Sequence, residues 1–227
     1  MKPSTSRKPG RQHDPQLAEA RRQQILDAAA DCFRRHGYHG ASMAQICRTA
    51  GMSAGHVYHF FASKDDIITA IISRDLQQLF SLMAEIAARP ESLHAALVNS
   101  VQRGVDDNLE PTYSALQLEM LAEAARNPHV ASILREADAS ARQHLRELLL
   151  GDPAQAIAPE QLDSTLEVIS TLFNGLLIRA VLHPELDRAA RTEQVQHVMR
   201  SLPARKRQRV CTSPPASVAA KACPPRP

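Results

Sequence analysis

Residues 42 to 64 carry hydroxyl, imidazole and ammonium groups at spacings that leave them on one outer surface. Such groups hydrogen-bond to phosphate oxygens and to the edges of bases. The seven residues expected to remain outside after packing are Ser42, Ala54, Gly55, His56, Tyr58, His59 and Lys64. Ala54 and Gly55 keep the start of a helix slim, so that its backbone can approach a groove and its free N–H groups can meet a phosphate. The pattern indicates contact with double-stranded DNA.

Two short helices are predicted to position these residues. Ser42 is the expected N-cap of the first, which ends at Ala50, and Ser53 is the expected N-cap of the second, which ends near Phe60. Helices joined by so tight a turn cross steeply, which requires a small residue, a residue of positive φ and an apolar anchor. Cys47, Gly51 and Val57 supply these three in order. The segment 42–61 is therefore predicted to be a helix-turn-helix whose second helix enters the major groove.

The residues at positions 50–68, AGMSAGHVYHFFASKDDII, resemble the signature of the TetR family of bacterial transcriptional regulators. The resemblance covers residues 19–79 and extends more weakly to about residue 202. It implies that residues 53–60 form the recognition helix. The phosphate contacts that it implies are Ser42, Ser53, Tyr58 and Lys64, and the groove-facing residues that it implies are Ala54, Gly55, His56 and His59.

The recognition helix departs from the commonest mode of base recognition, because residues 53–60 contain neither Arg nor Lys. Bidentate contacts from such side chains to guanine are therefore not available within it. Sequence preference is expected to depend on His56, His59, van der Waals contacts and DNA shape, or on the basic N-terminal arm in a minor groove.

The whole chain is predicted to be all-α with about nine helices and no strand. Pro90, Pro111, Pro128 and Pro159 are expected at first-turn positions of four of them. The predicted organisation is a disordered basic arm (1–18), a helix-turn-helix DNA-binding domain (19–79), a helical ligand-binding and dimerisation domain (80–202) and a disordered, basic, Pro-rich tail (203–227).

The resemblance also implies a homodimeric repressor that binds a palindromic operator and is released by a small-molecule inducer. The implied dimer interface comprises the helix at 159–182 and the helix at about 189–202. The inducer is expected among the helices between residues 80 and 180. The body holds only three aromatic residues, Phe80, Tyr113 and Phe173, which favours an aliphatic pocket over an aromatic cage.

The distribution of charge is uneven: residues 1–64 carry a net +6, residues 65–200 a net −9 and residues 201–227 a net +6. A basic N-terminal segment followed by a larger acidic segment is typical of a protein whose N-terminal module binds a polyanion. Two alternatives stay open, namely a ligand-free architectural DNA-binding protein and a helical-bundle enzyme, although the common catalytic motifs are absent from the sequence. No enzymatic activity is expected.

A soluble, cytoplasmic protein is expected. The most apolar stretch, 166–182, contains Glu167, Asn174 and Arg179, which argues against a membrane span, and the N-terminus lacks the apolar segment of a secretory signal. The four cysteines show no zinc-like spacing. Cys32 and His36 are spaced as half a metal site but are expected to pack in the core, and Cys47 is expected to be structural. No cofactor or metal is predicted.

Overall fold

The computed structural model describes residues 14–151 and 159–202, and all the regular secondary structure within these ranges is α-helical. The nine helices in this part of the chain are α1 (Pro15–Gly40), α2 (Met43–Ala50), α3 (Ala54–Phe60), α4 (Lys64–Ala87), α5 (Leu93–Asn108), α6 (Pro111–Ala124), α7 (Pro128–Gly151), α8 (Pro159–Leu182) and α9 (Arg188–Ser201). The predicted fold class is confirmed. The expected arm and tail lie outside the described residues, apart from residues 14–18.

Capping residues explain where the helices begin. Helix α1 starts at Pro15, earlier than the predicted domain boundary at residue 19, because the Asp14 carboxylate accepts the Gln16 N–H at 3.0 Å. Helix α5 starts at Leu93 and not at Pro90, because Ser92 is its N-cap. The predicted starts of α6, α7 and α8 at Pro111, Pro128 and Pro159 agree with the structure.

The apolar core has three clusters that follow one another along the molecule. The first joins α1, α2, α3 and the start of α4 to α6 and α7, with Phe33, Val57 and Met120 fully buried or nearly so. The second joins α4, α5, α7 and α8 around Leu162, and the third joins α5, α8 and α9 around Val105. The first cluster therefore connects the helix-turn-helix directly to the helical body.

Two predictions for the N-terminal helices have different outcomes. Cys47 is buried where α2 and α3 meet, as expected of a structural thiol. His36 was expected on the apolar face of α1, but it is exposed in the turn just before Gly37, where the helical backbone is interrupted. The Cys32–His36 spacing therefore does not bring the two side chains into one buried site.

Helix α8 has an apolar face that the described chain leaves uncovered. Val168, Ile178 and Leu182 are exposed, and they share a face with Gly175, at successive spacings of seven, three and four residues from Val168 to Leu182. The stretch Gln161–Leu182 is long and apolar enough to cross a membrane by length and composition, with a mean hydropathy of 1.5 and 28% of it buried. The exclusion of a membrane span therefore stays a prediction.

Helices α5 and α8 approach closely at Gly104. A Cβ atom at this position would lie 2.6 Å from Cε1 of the Phe173 ring, well inside van der Waals contact. We expect Gly104→Ala to lower the free energy of unfolding by about 1–3 kcal/mol, the usual cost of overpacking. Urea unfolding measures the change.

A matched control for this variant is Gly55→Ala, because an added Cβ at Gly55 meets nothing within 4 Å. Alanine is favoured over glycine within a helix by about 0.5–1 kcal/mol, so this variant should be neutral or more stable. Equal destabilisation of the two variants would contradict the packing argument.

Candidate nucleic-acid interface

The turn between α2 and α3 has the backbone geometry and the buried anchor that its residue types predict. Gly51 takes left-handed backbone angles (φ 64°, ψ 32°), and its N–H caps the end of α2. The Met52 N–H donates to the Cys47 carbonyl at 3.0 Å. Val57, fully buried, anchors α3 from beneath. These contacts fix the angle at which α3 leaves the turn, and they confirm the predicted roles of Gly51 and Val57.

Hydroxyl side chains hold the starts of both helices. The Ser42 Oγ accepts the Gln45 N–H at 3.2 Å, and the Gln45 side chain accepts the Ser42 N–H at 2.7 Å in return, which makes a capping box. The Ser53 Oγ accepts the His56 N–H at 3.3 Å. Both serines remain exposed, so their oxygens are accessible from outside the protein.

The outer surface of α3 carries the predicted contact residues. Ala54, Gly55, His56 and His59 are all exposed, and Tyr58 is 51% exposed. The six predicted residues from 53 to 59 therefore belong to one solvent-facing surface, with Val57 turned inward. Their contacts with DNA stay predictions.

Phe60 supports both histidines of this surface. The His56 ring lies 5.5 Å from the Phe60 ring and the His59 ring lies 5.4 Å from it, each in an edge-to-face arrangement. Edge-to-face arrangements of this kind are favourable contacts between rings. Phe60 therefore contacts the imidazoles of both exposed histidines.

Lys64 has a role inside the protein that the sequence did not reveal. Its Nζ donates to the Tyr38 carbonyl at 2.7 Å and to the Ala41 carbonyl at 2.9 Å, and lies 4.5 Å from the centre of the Tyr38 ring. An ammonium group has three protons, so one remains for a phosphate. The predicted phosphate contact is still possible, but Lys64 first of all ties α4 to the corner between α1 and α2.

Tyr38 and Glu119 complete this corner, and sequence reasoning missed both roles. The Glu119 carboxylate accepts the Tyr38 N–H at 2.8 Å from helix α6. The Tyr38 hydroxyl donates to Asp65, and burial together with this bond raises the pKa of Tyr38 well above its usual value. Gly37, at φ 70°, ends the regular part of α1.

Glu123, whose carboxylate is fully buried, makes a second contact between α6 and this corner. It accepts hydrogen bonds from Arg126 Nε at 2.9 Å and Asn127 Nδ2 at 3.0 Å, and His39 Nε2 lies 3.1 Å away. These partners compensate for burying the charge. Helix α6 therefore contacts the end of α1, just before the helix-turn-helix, through two carboxylates, those of Glu119 and Glu123.

A cavity of about 860 Å³ lies in the helical body between α4, α5, α6, α7 and α8. Its size is typical of small-molecule sites. Much of its wall is aliphatic, including Leu79, Leu82, Met83, Leu145 and Leu177. Tyr113 and Phe173 are the two aromatic residues in the wall, which agrees with the expectation of a mainly aliphatic pocket.

Comparison with known proteins supports one family. Residues 25–71 match the family model described as "Bacterial regulatory proteins, tetR family", and residues 101–205 match "BetI-type transcriptional repressor, C-terminal". The regulator UidR of Escherichia coli is 34% identical over 120 residues, which are 52% of this chain and 59% of UidR. The regulator BetI of Escherichia coli is 26% identical over 183 residues, which are 80% of this chain and 93% of BetI.

A solved structure, that of Salmonella enterica GusR, superposes with a TM-score of 0.68 at 25% identity and covers 81% of this chain and 95% of that one. The curated relatives are named as transcriptional regulators, which is a non-enzymatic role. The match to UidR spans about three fifths of that relative's length.

The fold and the exposed α3 surface define a helix-turn-helix DNA-binding protein. The chain belongs to the TetR family of bacterial transcriptional regulators.

Proposed function

We propose that this protein is a ligand-responsive transcriptional repressor of the bacterial cytoplasm. A dimer binds a palindromic operator through its two helix-turn-helix units, and a small molecule in the helical body releases it. It acts without enzymatic activity, metal or cofactor. The observation that carries the proposal is that two helices, α4 and α6, contact both the 860 Å³ cavity and the corner between α1 and α2, which precedes α3.

Helix α4 supplies one of these connections. It begins at Lys64, which holds the corner between α1 and α2, and it contributes Asp75, Leu79 and Met83 to the cavity wall. A ligand that displaces the middle of α4 therefore also moves the residue that positions the helix-turn-helix.

Helix α6 supplies the other connection. Tyr113, Gln117 and Met120 line the cavity, while Glu119 on another face of the same helix holds the Tyr38 N–H. A ligand that binds one arrangement of α4 and α6 more tightly shifts the spacing of the two recognition helices in a dimer.

The exposed face of α8 supports the proposed dimer. Two copies of the Val168–Leu182 face would bury apolar side chains that one copy leaves in water, and Gly175 allows the helices to approach closely. The exposed side of α9 is polar and carries Glu193, His197 and Arg200, so it suits the rim of such an interface better than its centre.

Selection of bound genomic fragments tests the proposal. The full chain is incubated with fragments of the source genome at near-physiological salt, and the recovered sequences are aligned. We expect a palindrome with half-sites about one helical turn apart, roughly 34–36 Å. Binding without a shared motif and with a steep dependence on salt would indicate an architectural DNA-binding protein in its place.

His59→Ala is expected to change the relative preference among operator variants, because the exposed imidazole belongs to the proposed groove-facing surface. A lost base contact costs about 1–3 kcal/mol at the base pair concerned, and little at other positions. Competition binding with single-base operator variants measures it. His129→Ala, an exposed histidine on α7, is the control and should leave every preference unchanged. An unaltered preference in His59→Ala would remove this residue from the interface.

A further inference from the structure

Hydrocarbon side chains line the cavity from each of the helices α4 to α8. One example from each helix, in chain order, is Leu82, Val101, Met120, Leu145 and Leu177. Four of the five are buried, and Leu82 packs against the second core cluster. A ligand that fills this space is therefore stabilised mainly by burying apolar surface of its own.

The arginines of the wall are already paired. Arg103 and Arg142 are the basic residues that the described chain contributes to the wall. Arg103 Nη1 donates to Glu85 at 2.9 Å, and Arg142 donates to Glu167. An anionic head group would therefore find no free guanidinium group in this part of the chain.

The carboxylates of the wall are held by donors or lie beside the same arginines. The acidic residues that the described chain contributes to it are Asp75, Asp107, Glu110 and Asp138. Asp75 accepts Gln117 Nε2 at 2.8 Å with Arg74 Nε 3.7 Å away, and Glu110 caps α6 by accepting the Tyr113 N–H. Asp107 lies 4.0 Å from Arg103 Nε, and Asp138 precedes Arg142 by one helical turn. A charged head group of either sign would lose its hydration here without gaining an unpaired counter-charge.

Ser170 and Asn174 are neutral polar side chains of the wall that lack a hydrogen-bond partner within the described chain. They are four residues apart on α8, so they lie on neighbouring turns of one helix face. Gln78 and the Tyr113 hydroxyl are also unpaired in this part of the chain, but each is the one such group on its helix. Ser100 on α5, by contrast, donates to the carbonyl four residues earlier at 2.7 Å. Helix α8 therefore offers a hydroxyl and an amide together to a ligand.

We propose that the cavity binds an uncharged amphiphile, with a hydroxyl or carbonyl head group at Ser170 and Asn174. Its hydrocarbon body lies against Leu82, Leu145 and Leu177. The serine hydroxyl and the asparagine amide can each donate and accept a hydrogen bond, so they satisfy a neutral head group without leaving a charge unpaired. This inference rests on the proposed function, since it names the class of small molecule that releases the operator.

Three probes with the same eight-carbon chain test the head group: 1-octanol, sodium octanoate and octylamine hydrochloride. Their binding to the full-length protein is measured by isothermal titration calorimetry at neutral pH, where octanol alone is uncharged, and release of the selected operator is followed by fluorescence anisotropy. We expect octanol to bind at least about tenfold more tightly than either charged probe, and to be the one that releases the operator. Equal or tighter binding of a charged probe, release by a charged probe in its place, or no binding of octanol would overturn the inference.

Ser170→Ala locates the head group. Loss of the hydroxyl should weaken the binding of octanol about threefold to tenfold, while the midpoint of urea unfolding does not fall, which shows that the variant is folded. Ser140→Ala makes the same change at an exposed position of α7 outside the cavity wall, and it should bind octanol like the unmodified protein. A Ser170→Ala variant that binds octanol with unchanged affinity would contradict the assignment.

Calorimetry measures binding without DNA, so the two proposals fail in different ways. Tighter binding of octanoate or octylamine would reject the uncharged ligand and leave the repressor intact. Absence of any operator motif in the genomic selection would reject the repressor, whichever probe the cavity binds.

Discussion

Gly175→Arg is expected to convert the protein in solution from a dimer to a monomer of 24.9 kDa. Gly175 lies in the middle of the uncovered α8 face, between Val168 and Ile178, and an added Cβ meets nothing within 4 Å in the single chain. The arginine is therefore tolerated by the monomer, but in the proposed dimer it would place a charge inside an apolar contact. Light scattering coupled to size-exclusion chromatography measures the mass.

The operator affinity of Gly175→Arg should also fall, because this variant no longer forms the dimer. A palindromic site engages two recognition helices at once, and separating linked binding modules costs about 10²–10⁴-fold in affinity. The matched control is Gly151→Arg at the end of α7, where an added Cβ also meets nothing within 4 Å. This control should remain dimeric and bind normally.

Two outcomes would reject this interface. A dimeric Gly175→Arg variant would show that the copies meet elsewhere. Unmodified protein that sediments with lipid vesicles would assign the apolar stretch Gln161–Leu182 to a membrane, as its length and composition allow.

Local signals explain why the helices could be predicted from the sequence. Ser42, Ser53 and Ser63 each precede a helix and cap it in the structure, and Gly51 adopts the positive φ that the turn requires. Such signals act within a few residues, so they can be read without knowledge of the tertiary structure. The predicted start of α5 at Pro90 was wrong, because Ser92, two residues later, is the N-cap of this helix.

Contacts between distant segments could not be predicted in the same way. The Glu119 carboxylate and the Tyr38 N–H are 81 residues apart in the chain, and neither residue type predicts a contact with the other. The exposure of His36 likewise depends on where the core ends, which helical periodicity alone does not specify. Lys64 was predicted as a phosphate ligand from the family resemblance, but its bonds to two carbonyls could be identified only in the folded structure.

Lys64→Ala is expected to lower both stability and DNA affinity. Hydrogen bonds from a charged donor contribute about 1.5–3 kcal/mol where they are shielded, and Lys64 is only half-buried, so we expect a loss of about 1–3 kcal/mol in the free energy of unfolding. If its third proton also meets a phosphate, affinity falls for every DNA sequence and the salt slope becomes shallower by about one. Urea unfolding and titrations at several salt concentrations measure the two effects separately.

Arg48→Ala separates these roles, because Arg48 is an exposed cation on the neighbouring helix α2. It should leave the free energy of unfolding unchanged, whatever it does to DNA affinity. A Lys64→Ala variant with reduced stability and an unchanged salt slope would make Lys64 a positioning residue only, since the charge it removes would never have been near the DNA. A reduced slope at unchanged stability would mean that the two carbonyl bonds contribute nothing to the fold. We expect both the stability and the salt slope to fall, because the Lys64 ammonium group has three protons. Two of them bind carbonyls at the corner between α1 and α2, and the third is available to the DNA backbone.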